Sequence, residues 1–275
     1  MKVSVVIVSF NTADSLRRCL AAVEQEHEVI VVDNGSADAS VAMVRAEFPA
    51  VHLIEAGENL GFGRACNLGA GMATGDLLLF LNSDCYAAEG AIRKLAEVFE
   101  DASVSGAGGR LLHPDGTLQN STAHRMTLSV VLWEQFLLEK VWPIYWTTRH
   151  FPLDRPSRTE QVMGACLMTR RPGFPGFDGR FFLYMEDTML CDQLRHLGNI
   201  LWVPDAVFTH ELGTSSQGSW WKGVARYNRG KELYFLITRG RGAQMICRGL
   251  NKIGALLRIV LKPRQASGFW RVFRS

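Results

Sequence analysis

The sequence lacks several patterns that would assign it to a familiar class. It has no apolar run of the roughly 18 residues that a membrane-spanning helix needs. It also shows no internal repeat and no low-complexity linker. Its six cysteines form no Cys-x-x-Cys pair and have no histidine at metal-ligand spacing, which argues against a zinc-binding module. Several cysteines lie in apolar surroundings, so we expect buried thiols in a reducing compartment.

Acidic residues are absent from 233–275, although this segment carries nine Lys or Arg. The whole chain has a net charge of +3, so the remainder is acidic, with 21 basic residues against 27 acidic ones. This small overall charge gives no indication of a nucleic-acid partner. The segment instead predicts a basic amphipathic helix, which either lies on an anionic membrane or packs on its own domain. Its predicted apolar face is Ile246, Leu250, Ile253, Leu257 and Val260, with Arg248, Lys252, Arg258 and Lys262 roughly opposite.

Residues 1 to about 100 alternate β-rich runs with helical patterns, which is typical of a parallel sheet covered by helices. Because the carboxyl ends of parallel strands meet at one edge, where open sheets bind ligands, we predict a nucleotide pocket there. Asp33 is expected to accept hydrogen bonds from a pyrimidine imide or a ribose hydroxyl, and Gly61 and Gly63 to let a ligand approach the backbone. Three predicted strands end in polar clusters at Asn11-Thr12, Asp33-Asn34-Gly35-Ser36 and Asn82-Ser83-Asp84.

The third of these clusters ends a central strand with a carboxylate. The five apolar residues of Leu77–Leu81 have the length of a strand buried on both faces. Asp84, backed by Asn82 and Ser83, is placed to hold a hard divalent cation against phosphate oxygens. The same three residues also favour a plain turn, and this stretch alone leaves both interpretations open.

Further candidates lie in the second half of the chain. Glu186 and Asp187 open a predicted helix, where acidic residues suit the helix dipole, or where one of them faces the cleft as a general base. His210 follows a predicted strand and precedes a Gly-Ser loop, a position for a structural histidine or a metal ligand. From roughly 112 to 160 the alternation is lost and the chain is rich in Trp and Phe. Such a segment contacts a sugar acceptor or a lipid surface, or packs on the domain.

Taken in order, these segments resemble an inverting family-two glycosyltransferase of the GT-A fold, most closely the bacterial enzymes that use dTDP- or UDP-sugars, including rhamnosyltransferases. The resemblance implies an α/β fold with a Rossmann-like, mostly parallel central sheet flanked by helices. It implies one glycosyltransferase domain over 1–232, with a nucleotide-sugar half to about 112 and an acceptor half over 113–232, followed by the basic segment 233–275. The residues that carry it are Val3–Asn11, Val31–Ser36, Asn59–Asn67, Leu81–Asp84, Gly164-Ala165, Glu186-Asp187 and His210.

The implied activity is a metal-dependent, inverting transfer of a sugar to a hydroxyl of a glycan or lipid-linked acceptor in cell-surface polysaccharide synthesis. Asp187 would be the base, with Glu186 beside it, while Asp84 and His210 would hold Mg²⁺ or Mn²⁺. The acceptor would contact Gly164, Ala165, Arg170 and Trp220. We expect a cytoplasmic protein at the inner face of the plasma membrane, with its oligomeric state left open. The expected contacts of the nucleotide sugar are Ser9, Asn11, Asp33, Asn59, Gly61, Gly63, Asn67, Asn82, Ser83 and Asp84.

The chain departs from the family pattern at three positions. Asn82 stands where the motif often has Asp, so the negative charge for the metal rests largely on Asp84. Met189 and Gly179 stand where many relatives carry acids, which affects the inferred acceptor more than the donor. A galactofuranosyl- or N-acetylhexosaminyltransferase of the same fold is an alternative.

Other classes fit less well. A nucleotidyltransferase would carry a Gly-rich, basic loop after the first strand, where this chain has Ser9–Thr12. A dinucleotide-binding oxidoreductase would carry its glycines directly after a strand, whereas Gly69 and Gly71 follow a helical pattern. A non-catalytic sugar- or lipid-binding module would have no need of Asp84, Asp187 and His210.

Overall fold

The computed structural model describes residues 1–138, 141–142, 144–211 and 220–275. Its strands are β1 Val3–Ser9, β2 Glu28–Asp33, β3 His52–Glu55, β4 Leu77–Asn82, β5 Cys85–Ala87, β6 Val104–Leu112, β7 Thr122–Ala123, β8 Ser157–Thr159, β9 Gln161–Val162, β10 Cys166–Arg170 and β11 Asn199–His210. Its helices are α1 Ala13–Ala22, α2 Ser40–Glu47, α3 Phe62–Met72, α4 Ala91–Glu97, α5 Leu128–Gln135, α6 Glu186–Leu197, α7 Trp220–Leu261 and α8 Ala266–Arg274. The predicted Gly-Ser loop after His210 lies outside the described residues.

A mixed sheet forms the centre of the fold, in the order β3-β2-β1-β4-β10-β6-β11-β5, with β8 also paired to β11. β1 to β4 run parallel to one another, and β6 pairs in parallel with β11. β10 is inserted antiparallel between β4 and β6. Helices α1, α2 and α4 cover one face, and α3 and α6 cover the other. The continuous apolar run of β4 is therefore buried on both faces, as its sequence predicts, and no residue of Leu77–Leu81 is more than 1% exposed.

The sheet topology brings the polar strand ends to one edge. In register, the end of β1 faces the end of β2 (Ser9 with Asp33), and Val8 of β1 faces Asn82 of β4. β10 runs the other way, so its first residues lie at this same edge, which we call the carboxyl edge. The parallel strands β6 and β11 also end there. The predicted pocket residues after β2 and β4 thus share one edge with His210 and with the segment before β10.

The C-terminal helices pack on the sheet domain through α5. α7 is interrupted at Gly240, whose φ of 82° and ψ of −177° are not helical. The two limbs fold back on each other, since Asn251 donates a hydrogen bond of 3.4 Å to the carbonyl of Asn228. Lys231, only 1% exposed, pairs with Glu134 of α5 at 2.9 Å. The predicted basic helix is the second limb of α7, after Gly240. The first limb runs across position 233, where the sequence suggested a domain division.

No helix within the described ranges combines the length and the apolar character required to cross a bilayer.

Candidate active site

Asp33 presents a buried oxygen without a partner at the carboxyl edge. The residue is 3% exposed, and its Oδ2 accepts hydrogen bonds from the amides of Gly35 and Ser36 at 3.1 and 3.0 Å. Its Oδ1 is buried and has no hydrogen-bond partner. A buried acceptor left unpaired costs about 1–3 kcal/mol, so this oxygen is suited to an incoming N–H or O–H donor.

The loop from Asn59 to Gly61 is fixed by amide side chains. Asn34, which the sequence did not single out, donates to Asn59 Oδ1 at 3.1 Å and accepts from the amide of Leu60 at 2.9 Å. Gly61 has φ +83°, and a Cβ there would lie 2.3 Å from the carbonyl oxygen of Phe182. The glycine is therefore required by a close approach within the chain, and its contact with a ligand stays a prediction.

The first turn of α3 packs against the segment that leads to α6. A Cβ on Gly63 would lie 2.9 Å from the Cβ of Phe177. Asn67 binds the backbone of the same residue twice, donating to its carbonyl and accepting from its amide, both at 2.8 Å. Because both the oxygen and the nitrogen of the Asn67 side-chain amide are hydrogen-bonded to Phe177, the structure shows that Asn67 holds the segment before α6 against α3. A nucleotide contact of Gly63 or Asn67 stays a prediction.

Hydroxyl groups connect the ends of β1 and β4. Thr12 Oγ1 lies 3.0 Å from Ser9 Oγ and donates to Ser83 Oγ at 3.0 Å. Asn11, with φ 55°, accepts from the amide of Ala37 at 2.7 Å and so joins this cluster to the loop after β2. Thr12 does not cap α1 with its side chain, as its position before the helix would suggest, because its hydroxyl serves this network.

Asp84 and His210 form the candidate metal-binding pair. Both are buried, at 4% and 3% exposure, and Asp84 Oδ1 lies 3.3 Å from His210 Nε2. Asn82 Nδ2 is also 3.3 Å from that nitrogen. The amide of Glu211 donates to the carbonyl of Asp84 at 3.0 Å, which fastens the end of β11 to the turn after β4.

Gln119 fixes the orientation of the His210 ring, and sequence analysis missed it. Its Oε1 lies 2.7 Å from His210 Nδ1, and its Nε2 lies 3.2 Å from His113 Nδ1 and 3.5 Å from the carbonyl of His210. An amide oxygen accepts only, so Nδ1 of His210 donates to Gln119, and this contact turns Nε2 towards Asp84. Metal-binding histidines commonly use the second nitrogen in this way. A single Gln in a loop carries no sequence signal of such a role.

A divalent cation fits the chemistry of this pair. A carboxylate and a neutral imidazole are both ligands for Mn²⁺-like ions. In the part of the chain that the structure describes, no three His, Cys, Asp or Glu side chains cluster as a complete metal site. The protein would thus supply few ligands, as is usual for ions that also bind substrate phosphates.

Glu186 and Asp187 begin α6 and have different surroundings. Glu186 is 4% exposed and its Oε2 has no partner, so burial, and next the charge of Asp187, raise its pKa to about 8. Asp187 keeps a partly exposed surface and accepts from the amides of Gly164 and Thr188, at 2.9 and 2.8 Å. Burial still raises the pKa of Asp187, against the lowering effect of these hydrogen bonds. At neutral pH Glu186 is mainly protonated, which leaves Asp187 as the better base.

A two-residue bridge connects Asp187 to the end of β4. The amide of Asn82 donates to the carbonyl of Ala165 at 3.0 Å, and the amide of the preceding Gly164 donates to Asp187 Oδ2 at 2.9 Å. A Cβ on Gly164 would lie 3.2 Å from Asp187 Cβ, tighter than usual packing. The bridge thus links the candidate base to the end of β4, two residues before Asp84.

Two predicted acceptor residues, Arg170 and Trp220, make contacts within the chain. Arg170 pairs in register with Leu77, at the opposite end of the sheet, and its guanidinium donates to the carbonyls of Val104, Phe99 and Asp101. We therefore assign Arg170 a structural role away from the carboxyl edge. Trp220 opens α7 and packs against Phe269 of α8, with ring centroids 4.7 Å apart. Its contact with an acceptor stays a prediction.

Comparison with known proteins places this geometry in a family. The model of glycosyl transferase family 2 matches residues 4–172. An N-acetylglucosaminyl-diphospho-decaprenol L-rhamnosyltransferase of Mycobacterium tuberculosis is 34% identical over 238 residues, which is 77% of this chain and 76% of that protein.

Two solved structures share the fold. One is a mannosyltransferase from Pyrobaculum calidifontis in complex with GDP-Man and Mn²⁺, with a TM-score of 0.58 and 16% sequence identity. The match covers 98% of this chain and 84% of the mannosyltransferase chain. The other is GalNAc-T7 with UDP, GalNAc and Mn²⁺, with a TM-score of 0.59 and 16% sequence identity. The match covers 84% of this chain and 48% of the GalNAc-T7 chain. The predicted GT-A fold is confirmed. The chain belongs to glycosyl transferase family 2 and is a glycosyltransferase.

Proposed function

We propose that this enzyme transfers a sugar, with inversion, from a dTDP- or UDP-sugar to a hydroxyl of a glycan or lipid-linked acceptor in the synthesis of cell-surface polysaccharide, and that the sugar is rhamnose. The observation that carries the proposal is the bridge through Gly164 and Ala165, which joins Asp187 to Asn82, two residues before Asp84. The mycobacterial relative supports a lipid-linked acceptor and a rhamnosyl donor, because its name describes both.

The base of the nucleotide would lie at Asp33, whose unpaired Oδ1 would accept a hydrogen bond from the pyrimidine imide or from the ribose. The polar cluster from Ser9 to Thr12 and the loop from Asn59 to Gly63 would border it. Asp84 and His210 would hold Mg²⁺ or Mn²⁺, an ion that offsets the negative charge of the departing diphosphate. Both solved structures named above contain Mn²⁺.

Asp187 would act on the acceptor. Its carboxylate takes the proton of the acceptor hydroxyl as the oxygen forms a bond to the anomeric carbon. The bond from that carbon to the diphosphate oxygen breaks on the opposite side, so its configuration inverts. The amides of Gly164 and Thr188 orient the carboxylate for this step.

A donor screen tests the proposal. With Mn²⁺ present, we expect a dTDP- or UDP-sugar to raise the melting temperature and to be hydrolysed slowly or transferred, whereas GDP-mannose and NADH are expected to do neither. dTDP-rhamnose is expected to give the largest shift. A larger shift with UDP-galactofuranose or UDP-N-acetylhexosamine would favour the alternative donors, and no response to any nucleotide sugar would refute the proposal.

We also propose that the enzyme lies on the inner face of the plasma membrane through the second limb of α7. Of the predicted apolar face, Ile246, Ile253 and Val260 are 55%, 49% and 77% exposed. The limb instead packs on the protein through small or polar residues such as Cys247, Asn251 and Gly254. Unpaired apolar side chains next to an acid-free basic segment suit an anionic lipid surface. Two copies of this segment would repel each other, which disfavours a homodimer through the same face.

Replacing Ile253 and Val260 together by Glu is expected to weaken binding to anionic vesicles at least tenfold, because two insertions of apolar side chains are lost and two negative charges are added. Sedimentation with vesicles containing anionic lipid measures the effect. Met72→Glu, at a position 58% exposed on α3, is the matched control and is expected to bind as the wild type does. Equal vesicle binding of all three proteins would contradict this location.

A further inference from the structure

A cleft opens at the end of β6, near the carboxyl edge. It has a volume of about 620 Å³, within the range of small-molecule sites. One wall is His113, the first residue after β6. Leu112 and Thr209 face each other in register, so His113 and His210 are the next residues of two neighbouring strands. Gln119 lies between the two histidines and contacts both rings.

The cleft lies at the end of β6, whereas Asp33 ends β2 on the other side of β4. In the strand order, Asp33 ends β2 and Asp84 follows β4, so the nucleotide is proposed to lie over the β2-β1-β4 half, with His210 of β11 reaching Asp84 from the other half. The other half, β10-β6-β11, contains His113 and borders the cleft. Asp33, Asp84 and His210 do not line the cleft, so we expect a ligand there to bind together with the nucleotide.

The lining combines a cation with apolar surface. Arg149 is exposed and makes no ion pair or hydrogen bond with any residue that the structure describes. Thr148, just before it, is held rigidly because its hydroxyl accepts from the amides of Ser121 and Thr122, both at 2.9 Å. None of the described lining residues is acidic, and the others are His113, Thr117, Leu118, Phe151 and Leu153.

We propose that this cleft binds the diphosphate and first isoprene units of a polyprenyl-diphosphate-linked acceptor, with Arg149 paired to the phosphate oxygens. The inference rests on the proposed function and adds the part of the acceptor that is recognised. A guanidinium suits a diphosphate because it offers several donors in one plane. Leu118, Phe151 and Leu153 provide the apolar surface that an isoprenoid chain needs, and a free oligosaccharide would leave both features unused.

The same stretch of chain also carries exposed apolar side chains. Val141 and Trp142, a few residues before Arg149, are 84% and 70% exposed. An exposed Trp beside apolar residues is typical of a membrane interface. An acceptor whose lipid tail stays in the bilayer would thus enter the cleft from a nearby surface.

The test uses farnesyl diphosphate as the probe, with the full-length enzyme saturated with UDP and no divalent metal added. We expect the wild type to bind it and Arg149→Gln to bind it about tenfold more weakly, through the loss of a charge-assisted pair. Farnesyl monophosphate is expected to bind more weakly than the diphosphate to the wild type. Arg155→Gln is the matched control, because Arg155 is exposed nearby but does not line the cleft.

With a lipid-linked acceptor, Arg149→Gln is expected to raise KM about tenfold at unchanged kcat and unchanged hydrolysis of the donor. Failure of the UDP-saturated wild type to bind farnesyl diphosphate, or equal affinity in the variant, would overturn the assignment. These outcomes are separate from failure of the proposed function, which would appear as loss of donor hydrolysis in the wild type. If the wild type hydrolyses its donor but Arg149→Gln binds farnesyl diphosphate as tightly as the wild type does, only the cleft proposal is refuted.

Discussion

Replacing Asp187 by Asn is expected to reduce turnover by about 10²–10⁴-fold, the usual contribution of a general base, while donor binding stays nearly intact. The amide side chain fills the same space, and its oxygen still accepts from Gly164 or Thr188, but it takes up no proton. Donor affinity should hold because Asp33 and Asp84 are unchanged. Calorimetry with UDP and steady-state transfer rates measure the two effects separately.

Glu186 provides a comparison next to the same site. Because its pKa is raised to about 8, the residue is mainly protonated at neutral pH, and Glu186→Gln preserves that neutral state. This exchange is expected to cost far less turnover than Asp187→Asn. Asp205→Asn, at an exposed position of β11, controls for loss of a carboxylate elsewhere. If Asp187→Asn turns over near the wild-type rate, the base must be sought at another residue.

The pH profile should follow the same carboxylate. Burial raises the pKa of Asp187, and a base must be deprotonated to act. We therefore expect the wild-type rate to fall on acidification, beginning at a higher pH than an exposed Asp would give. In Asp187→Asn the residual rate should no longer show this fall on acidification.

The first half of the fold follows closely from local sequence pattern. A run such as Leu77–Leu81 has few alternatives to a strand buried on both faces, and parallel topology then brings its end to the same sheet edge as Asp33. The second half was less predictable, since the roles of Gln119 and Gly164 depend on contacts between residues far apart in the chain. No local period records such contacts.

In the C-terminal segment the sequence pattern predicts the helix correctly but does not indicate what the helix packs against. Its helical spacing predicts an amphipathic helix, which the structure contains. Arg258 was expected on the exposed polar side, yet it donates to the carbonyls of Glu134 and Gln135 at the end of α5, and burial lowers its pKa. A cation suits the carboxyl end of a helix, but the identity of that helix depends on tertiary packing.

Exchange of Asp84 for Ala is expected to abolish the gain in UDP or dTDP affinity that Mn²⁺ provides, a loss of about 10²–10³-fold. His210 alone is a single neutral ligand, and Asn82 brings no charge, so the variant has no carboxylate at the end of β4. The fold is expected to survive, because the hydrogen bond from the amide of Glu211 goes to the backbone of Asp84.

The control ligand is the nucleoside itself. Uridine and thymidine have no diphosphate and would bind at Asp33, so their affinity should be the same in the wild type and in Asp84→Ala. Asp84→Asn, which keeps the volume of the side chain, should match the Ala variant if charge is what matters. Titration of UDP with and without Mn²⁺ measures the effect. If either variant keeps the full gain in UDP affinity that Mn²⁺ provides, the cation is held elsewhere, and Asp84 and His210 are a structural pair.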